Sequence, residues 1–235
     1  MPADTTSLRE QNMGKRRARL LVEARALLAS GGFETLNLRE LARRAGVTVP
    51  TIYNLIGRKE DLFLAIAEEV LTELESRAAP GPTRDPVELA ESFVRGATEL
   101  FAEDESFFRA AFLAVEWLDQ SGQHHAAVER LYAWVDRLFD EGIQACVAAG
   151  HLRGAVPAAA LSAALTRALR MACRGWAFGH YDLATLRRIT ANDLRLALCA
   201  DAVDTFRQRL QREITLTENE TPPAGSTRMK RQAMR

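Results

Sequence analysis

The sequence has 235 residues, of which 47% are hydrophobic and 26% charged, and 31 basic residues balance 31 acidic ones. This composition is typical of a globular protein whose core needs no disulfide or metal for stability, and it excludes a disordered chain. The N-terminus lacks the apolar run of a signal peptide and no stretch approaches the roughly 18 apolar residues of a membrane span, so we expect a cytoplasmic protein without membrane contact.

The charges are unevenly distributed along the chain. Residues 1–60 carry 11 basic and 6 acidic residues, whereas residues 61–141 carry 6 basic and 18 acidic ones. A basic N-terminal part joined to an acidic body indicates that one end of the protein meets a polyanion. Helix-forming Ala, Leu, Arg and Glu dominate and no strand-like alternation occurs, so the sequence predicts an all-α fold of about nine helices.

The N-terminal part predicts an arm followed by a first helix. Residues 1–12 are polar and lack helical periodicity, so we expect a disordered arm. Apolar residues then recur on one helical face up to Ser30, where Gly31 and Gly32 provide the glycine that a helix C-terminus favours.

A second helix is predicted from Leu38 to Ala45. Asn37 can cap it, and Glu40 stands three residues on, where its side chain can reach back to the cap. Gly46 then occupies a tight turn that requires a positive φ angle, which glycine adopts without steric cost.

The third helix is predicted from Val49 to Ile56. Thr48 is a good N-cap residue, and Pro50 falls in the first turn, where a missing N–H costs nothing. We therefore expect residues 13–60 to form one three-helix domain.

The rest of the chain predicts a larger helical domain over residues 61–214 and a disordered tail over 215–235. A long helix from Lys59 to about Arg77 comes before a Pro-Gly linker at 79–82. Further helices are predicted near 86–103, 105–119, 124–149, 157–179 and 184–214.

The segment from Leu38 to Gly57 fits a helix-turn-helix. Besides the turn glycine and the cap, the motif contains Ala42, which is small where the two helices approach each other. It also contains four apolar residues that fix the angle between the helices. Such a pair can place its second helix in the major groove of DNA. The alternative is a helical hairpin with a purely structural role. The apolar residues are Leu41, Ala45, Val47 and Ile52.

This segment resembles the TetR family of transcriptional regulators from about Arg17 to Leu64. The remainder of the chain is similar to that family in length and helical content. Val49-Pro50, Leu55 and Ile56 depart from the residues usual in the family, so the operator sequence is not predicted. The residues that carry the resemblance are Gly31-Gly32-Phe33, Leu41-Ala42, Ala45 to Thr48, Thr51 to Tyr53, Lys59-Glu60 and Leu62.

The resemblance implies that Thr48, Tyr53 and Lys59 contact DNA phosphates. A hydroxyl at a helix N-terminus, a phenol and an ammonium all suit an anionic backbone, although Tyr53 can instead pack within the small domain. Lys15 and Arg16 should add affinity that depends on salt and not on sequence.

Base contacts are expected from the N-terminal half of the third helix. Val49 and Thr51 offer methyl groups that can meet thymine methyls, and Asn54 can pair with adenine through two hydrogen bonds. Pro50, which lies between Val49 and Thr51 in the same turn, is also expected to face DNA. Arg39 is the basic residue of the second helix that we expect to face DNA, whereas Arg43 and Arg44 belong to a solvated face.

The resemblance places a homodimer interface on the last two helices, and binding to a two-fold symmetric site also favours a dimer. Apolar residues recur at spacings of three and four on each of these two helices, and so form one apolar stripe on each helix. Either stripe can instead face the core of its own protomer. The expected interface residues are Leu165, Leu169, Leu196, Val203, Phe206 and Leu210.

Aromatic residues gather in the middle of the chain. The resemblance implies that the middle helices enclose a pocket for a small, largely apolar effector, although aromatic residues at helical spacing more often form ordinary core. Among the residues expected to line this pocket, Glu116 has an alternative, because a solvated position suits it equally well. The expected pocket residues are Phe108, Phe112, Glu116, Trp117, Trp134, Arg170 and Arg174.

The chain lacks the motifs of common enzymes, with no nucleophile elbow, no zinc-protease pair and no phosphate-binding loop. We therefore expect no catalytic residue, no metal and no cofactor. Cys146, Cys173 and Cys199 are expected to be buried hydrophobic residues, with a redox sensor as the alternative.

Together these features predict a DNA-binding transcriptional regulator, a repressor released from a palindromic operator by a small-molecule effector. The alternative is a helical partner-binding protein with a vestigial helix-turn-helix.

Overall fold

The structure, a computed structural model, describes residues 4–77, 86–120 and 126–219. Ten α-helices and no strand occupy these ranges, which confirms the all-α fold. No helix of the described ranges combines the length and the apolar character needed to cross a membrane. The helices are α1 (Asp4–Thr35), α2 (Leu38–Ala45), α3 (Val49–Leu55), α4 (Lys59–Arg77), α5 (Pro86–Glu103), α6 (Glu105–Gln120), α7 (Ala126–Ala148), α8 (Ala158–Ala177), α9 (Leu183–Cys199) and α10 (Asp204–Asn219).

The first helix is longer than the sequence predicts. It starts at Asp4, so residues 4–12, expected to be a disordered arm, are helical. No glycine or proline interrupts this stretch, and an acidic residue at the N-terminus suits the helix dipole. Residues 10–19 are all exposed, so this part of α1 lies outside the core. The break at Gly32, where φ is 73° and ψ is −177°, confirms the predicted end of the regular helix.

The C-terminal part contains a turn that the sequence analysis missed. A single helix was expected near 184–214, but α9 ends at Cys199 and α10 starts at Asp204. Residues 215–219 of the expected tail belong to α10, whereas residues 220–235 and the linker at 79–82 lie outside the described residues.

Asp201 explains this turn. Its carboxylate is buried and accepts backbone N–H groups from Gly154 at 2.7 Å, Ala155 at 3.0 Å and Val156 at 3.2 Å. The loop before α8 is thereby fixed to the segment between α9 and α10. Continuing the helix would remove the carboxylate from these three donors, and hydrogen bonds to a charged group are among the stronger ones.

The apolar core links the N-terminal helices to the body. One buried cluster contains residues of α1 to α4 together with Phe107, Phe108 and Trp176, and a second lies among α5 and α7 to α10. The Arg25 guanidinium of α1 lies 4.2 Å from the ring centre of Phe107 on α6, within the distance of a cation–π contact. α6 therefore packs directly on α1.

The Asp201 turn gives a stability prediction. Asp201→Ala should lower the free energy of unfolding by about 3 kcal/mol, because three backbone donors lose a charged acceptor. Urea unfolding followed by circular dichroism measures this loss.

The matched control is Asp204→Ala. Its side chain is 79% exposed and pairs with Arg153 at 2.9 Å, an arrangement that contributes little to stability. Equal losses for the two variants would show that Asp201 does not hold the turn.

Candidate nucleic-acid interface and effector cavity

The turn between α2 and α3 has the geometry that the sequence predicts. Gly46 is left-handed, with φ 67° and ψ 37°, and its N–H donates to carbonyl groups at the end of α2. Val47 N–H also donates to the Ala42 carbonyl at 3.0 Å. A residue with a Cβ atom is strained in this region, so the glycine is required by the backbone.

The N-terminus of α2 is capped as expected, but only by one partner. Asn37 accepts the N–H of Arg39 at 2.8 Å. The expectation for Glu40 is wrong, because its carboxylate pairs with Arg43 at 2.7 Å and Arg44 at 2.9 Å instead of reaching back to the cap. Hydrogen bonds from Arg43 and then Arg44 lower the pKa of Glu40 to about 2. The guanidinium groups of Arg43 and Arg44 are thus paired with a carboxylate of their own helix.

The second helix of the motif, α3, is fixed by its cap and by one buried residue. The Thr48 hydroxyl accepts the N–H of Thr51 at 3.4 Å, and Pro50 lies in the first turn, as predicted. Ile52 is fully buried against the other helices. The opposite face therefore points outward and carries Tyr53, which is 51% exposed, and Asn54.

The ten residues expected to contact DNA are all at least partly accessible. Val49, Thr51 and Lys59 are half-buried, and the Lys59 ammonium lies 6.0 Å from the ring centre of Phe63 at the start of α4. Their contact with DNA stays a prediction. The exposed members are Lys15, Arg16, Arg39, Thr48, Pro50, Tyr53 and Asn54.

Arg19 is a further basic residue beside the motif that the sequence analysis did not select. Its Nη2 atom lies 4.0 Å from the position that a Cβ atom on Gly46 would occupy. Arg19 is exposed and follows Lys15 by one helical turn. The spacing of four residues between two basic side chains on α1 was the available signal.

The body encloses a cavity of about 110 Å³, whose walls come from α4 to α9. Four of the expected pocket residues line it, namely Phe108, Phe112, Trp134 and Arg170. Leu169, expected in the dimer interface, also lines it. Ala67, Val70 and Leu74 of α4 contribute one wall, so the helix that follows the helix-turn-helix also borders the cavity.

The polar groups of the cavity wall are engaged within the protein. Thr98 donates to the Val94 carbonyl at 2.9 Å and Thr190 to the Leu186 carbonyl at 2.9 Å. Thr166 donates to the Asp136 carboxylate. The wall is therefore largely apolar in character, as expected for an apolar ligand.

Glu116 is buried, with 4% of its surface exposed, which decides against a solvated position. Its Oε1 atom accepts from Arg170 Nε at 2.8 Å and from the Tyr132 hydroxyl at 3.3 Å. Its Oε2 atom lies 3.7 Å from Arg174 Nη1.

Three expected pocket residues line a neighbouring groove instead of the cavity. Glu116, Trp117 and Arg174 border this groove of about 710 Å³, together with residues 28–32 at the end of α1. Trp117 follows Phe112 by five residues and therefore lies on a different face of α6. Glu116 and Arg174 follow the cavity-lining Phe112 and Arg170 by four residues, so they lie at the border between the cavity and the groove. The groove and the cavity thus share α6 as a wall.

Two of the three cysteines have the environment expected of buried hydrophobic residues. Cys146 and Cys173 are buried and Cys199 is half-buried. Burial, with a smaller effect of the Glu116 charge, raises the pKa of Cys173 to about 12, so its thiol is protonated at neutral pH. Among the described residues, no group of His, Cys, Asp and Glu side chains is placed to hold a metal ion.

The expected dimer interface needs correction. Leu165 on α8 and Phe206 and Leu210 on α10 are buried within their own protomer, in the second apolar cluster. α10 folds back after the Asp201 turn and packs on α9. Leu196 is 57% exposed and Val203 is half-buried. The burial of Leu165, Phe206 and Leu210 favours the alternative left open by the sequence for these residues, that they face the protomer's own core.

The fold and the site define a helix-turn-helix protein whose helical body encloses an apolar cavity. Residues 20–66 match the family described as bacterial regulatory proteins, tetR family. This match confirms the resemblance expected from residues 17–64, and the N-terminal helix-turn-helix is that of the TetR family.

Two curated relatives and a solved structure extend the comparison. The chain is 30% identical over 125 residues to the HTH-type transcriptional repressor KstR of Rhodococcus jostii, covering 53% of this chain and 58% of KstR. It is 28% identical over 100 residues to the HTH-type transcriptional activator FasR of Mycolicibacterium smegmatis, covering 42% of this chain and 46% of FasR. The matches thus span about half the length of each relative. SmeT, the repressor of the Stenotrophomonas maltophilia efflux pump SmeDEF, has the same fold, with a TM-score of 0.63 at 18% identity over 81% of this chain and 92% of SmeT.

Proposed function

We propose that the protein is a sequence-specific DNA-binding transcriptional regulator, a repressor that a small-molecule effector releases from a palindromic operator. The observation that carries this proposal is α3, a capped helix that buries Ile52 and turns Tyr53 and Asn54 outward. Such a helix is suited to the major groove. Regulation of an operator would take place in the cytoplasm, where we place the protein.

The chain divides by role in this proposal. Residues 13–60 read DNA, and residues 61–214 bind the effector and form the dimer. Thr48, Tyr53 and Lys59 contact phosphates, while Val49, Thr51 and Asn54 face base edges. Lys15, Arg16 and Arg19 lie on the exposed part of α1 and supply affinity that falls with salt.

The dimer is proposed to form through the exposed faces of α8 and α9. Met171 on α8 is 61% exposed and follows the small residues Ala164 and Ala168 on the same face. Leu196 on α9 is a second large exposed apolar side chain. Apolar faces of this kind are typical of helix packing between subunits, and two-fold symmetry suits a palindromic operator.

The effector is proposed to occupy the cavity. α4 follows the helix-turn-helix directly and borders the cavity through Val70 and Leu74, and α6 borders it while packing on α1. A ligand that changes the position of these helices would change the separation of the two α3 helices in the dimer. The similarity to KstR, a transcriptional repressor, supports the assignment as a repressor.

The DNA-binding proposal is tested by selecting bound duplexes from a random DNA pool. The wild-type protein should enrich one palindromic motif, and Tyr53→Ala combined with Lys59→Ala should weaken binding to it at least tenfold, because two phosphate contacts are lost. Affinities are measured by fluorescence anisotropy at fixed salt.

The control for this experiment is Arg130→Ala. Arg130 pairs with Glu68 at 2.6 Å on the surface of the body, so its loss should leave DNA affinity unchanged. Failure of the ligand-free wild-type protein to enrich any motif would contradict the proposal.

The dimer proposal is tested with Leu196→Glu. A charge in the centre of an apolar interface should convert the dimer to a monomer at micromolar concentration, as measured by analytical ultracentrifugation. Leu216→Glu is the matched control, because Leu216 on α10 is 61% exposed, close to the 57% of Leu196, but lies outside the proposed interface. A Leu196→Glu protein that stays dimeric would place the interface elsewhere.

A further inference from the structure

The cavity has one charged residue in its wall. Among the described residues that line it, only Arg170 carries a charge, and its Nε atom donates to Glu116 Oε1 at 2.8 Å. The threonine hydroxyls of the wall already donate to protein acceptors. The surface of the cavity is therefore almost entirely apolar, and the Arg170 guanidinium at its wall is paired with Glu116.

Glu116 has a second guanidinium group within reach. Arg174 lies one turn further along α8, and its Nη1 atom is 3.7 Å from Glu116 Oε2. The carboxylate is the buried member of the group, with its side chain 5% exposed, whereas the side chains of Arg170 and Arg174 are 31% and 41% exposed. A buried carboxylate that loses its partner is costly, but Arg174 allows Glu116 to keep one.

We propose that the effector is an amphipathic carboxylate whose apolar tail fills the cavity and whose head group takes the place of Glu116 on Arg170, while Glu116 closes onto Arg174. This inference rests on the proposed effector role of the cavity and assigns the chemical class of its ligand. Arginine and carboxylate form strong charge-assisted hydrogen bonds, so a carboxylate head replaces Glu116 with an equivalent partner. An uncharged ligand cannot make this exchange.

The size of the cavity limits the tail. A dry cavity of about 150 Å³ lined by apolar side chains holds one benzene molecule. The cavity here is about 110 Å³, smaller than that, so a short alkyl chain fits without expansion but a ring does not. Longer tails require the wall helices to move.

The exchange also connects the cavity to α1. Glu116 and Arg174 both border the groove that residues 28–32 at the end of α1 complete. Moving the Glu116 side chain from Arg170 to Arg174 shifts a buried ion pair from the cavity side of α6 toward this groove. Binding of the charged ligand thereby changes the ion pairing next to α1, the helix that carries the basic N-terminal residues.

The test uses hexanoate, with 1-hexanol and methyl hexanoate as uncharged probes of the same tail. Isothermal titration calorimetry on the DNA-free full-length protein should give an affinity for hexanoate about tenfold higher than for either control, because of the charged hydrogen bonds. Equal affinities for the three probes, or no binding of hexanoate at millimolar concentration, would overturn the proposal.

The exchange itself is tested with Arg174→Gln. This variant should lose about tenfold in hexanoate affinity and keep its affinity for 1-hexanol, because Glu116 no longer has a second partner. Arg174→Lys keeps the charge and should lose less, and Arg137→Gln, at an exposed position on α7, should change nothing. Unchanged hexanoate binding in a folded Arg174→Gln protein would refute the exchange.

These measurements contain no DNA, so they are independent of operator binding. Thermal unfolding of each variant establishes that it is folded. A protein that binds its operator without preferring hexanoate refutes only the ligand class, whereas the absence of operator binding refutes the proposed function.

Discussion

The packing of α6 between α1 and the cavity is the constraint on which the proposed function depends. Phe107 on α6 is fully buried and lies under the Arg25 guanidinium of α1, while the next residue, Phe108, lines the cavity. Because protein interiors are close-packed, a ligand that enlarges the cavity cannot be accommodated by compression of the side chains alone. The wall helices have to move, and α6 cannot move without affecting its contact with α1.

The same reasoning limits what the effector can do. A ligand shifts the equilibrium between two conformations only by the difference in its affinity for them. A difference of about 3 kcal/mol corresponds to roughly a hundredfold change in DNA affinity. The ion-pair exchange proposed for Glu116 offers one source of such a difference, because the charged head group is bound well only when Glu116 has moved.

The sequence predicted the helix-turn-helix well because its geometry is local. The positive φ of Gly46 and the cap by Thr48 depend on residues within a few positions along the chain, and the apolar spacing marks Ile52 as the residue of α3 that the other helices bury. The wrong expectation for Glu40 is local too, and it arose because two arginines on the same helix compete with the cap for one carboxylate. The body was harder to predict. The turn at Asp201 depends on backbone donors of residues 154–156, and periodicity contains no information on such a contact.

The predictions for the cavity and the dimer face differ in the same way between what local sequence determines and what tertiary packing determines. Periodicity correctly identified helices with apolar stripes, but it could not say that α10 folds back so that its own Phe206 and Leu210 are buried within the protomer. Likewise, Phe108 and Phe112 were placed in the pocket from their aromatic character, whereas Trp117 was not distinguished from them and lies on the groove. The direction that a helix face takes is decided by the tertiary packing of several helices at once.

The most direct test of the central claim, that the state of the cavity controls DNA binding, is the operator affinity of a protein whose cavity is filled by a side chain. Ala111 on α6 lines the cavity, so Ala111→Phe places a ring inside it. With Ala133→Phe, at an exposed position on α7, as control, the account predicts that Ala111→Phe loses about tenfold or more in operator affinity without any ligand, since the wall helices must move. A folded Ala111→Phe protein with the operator affinity of the wild type would contradict the coupling between cavity and DNA.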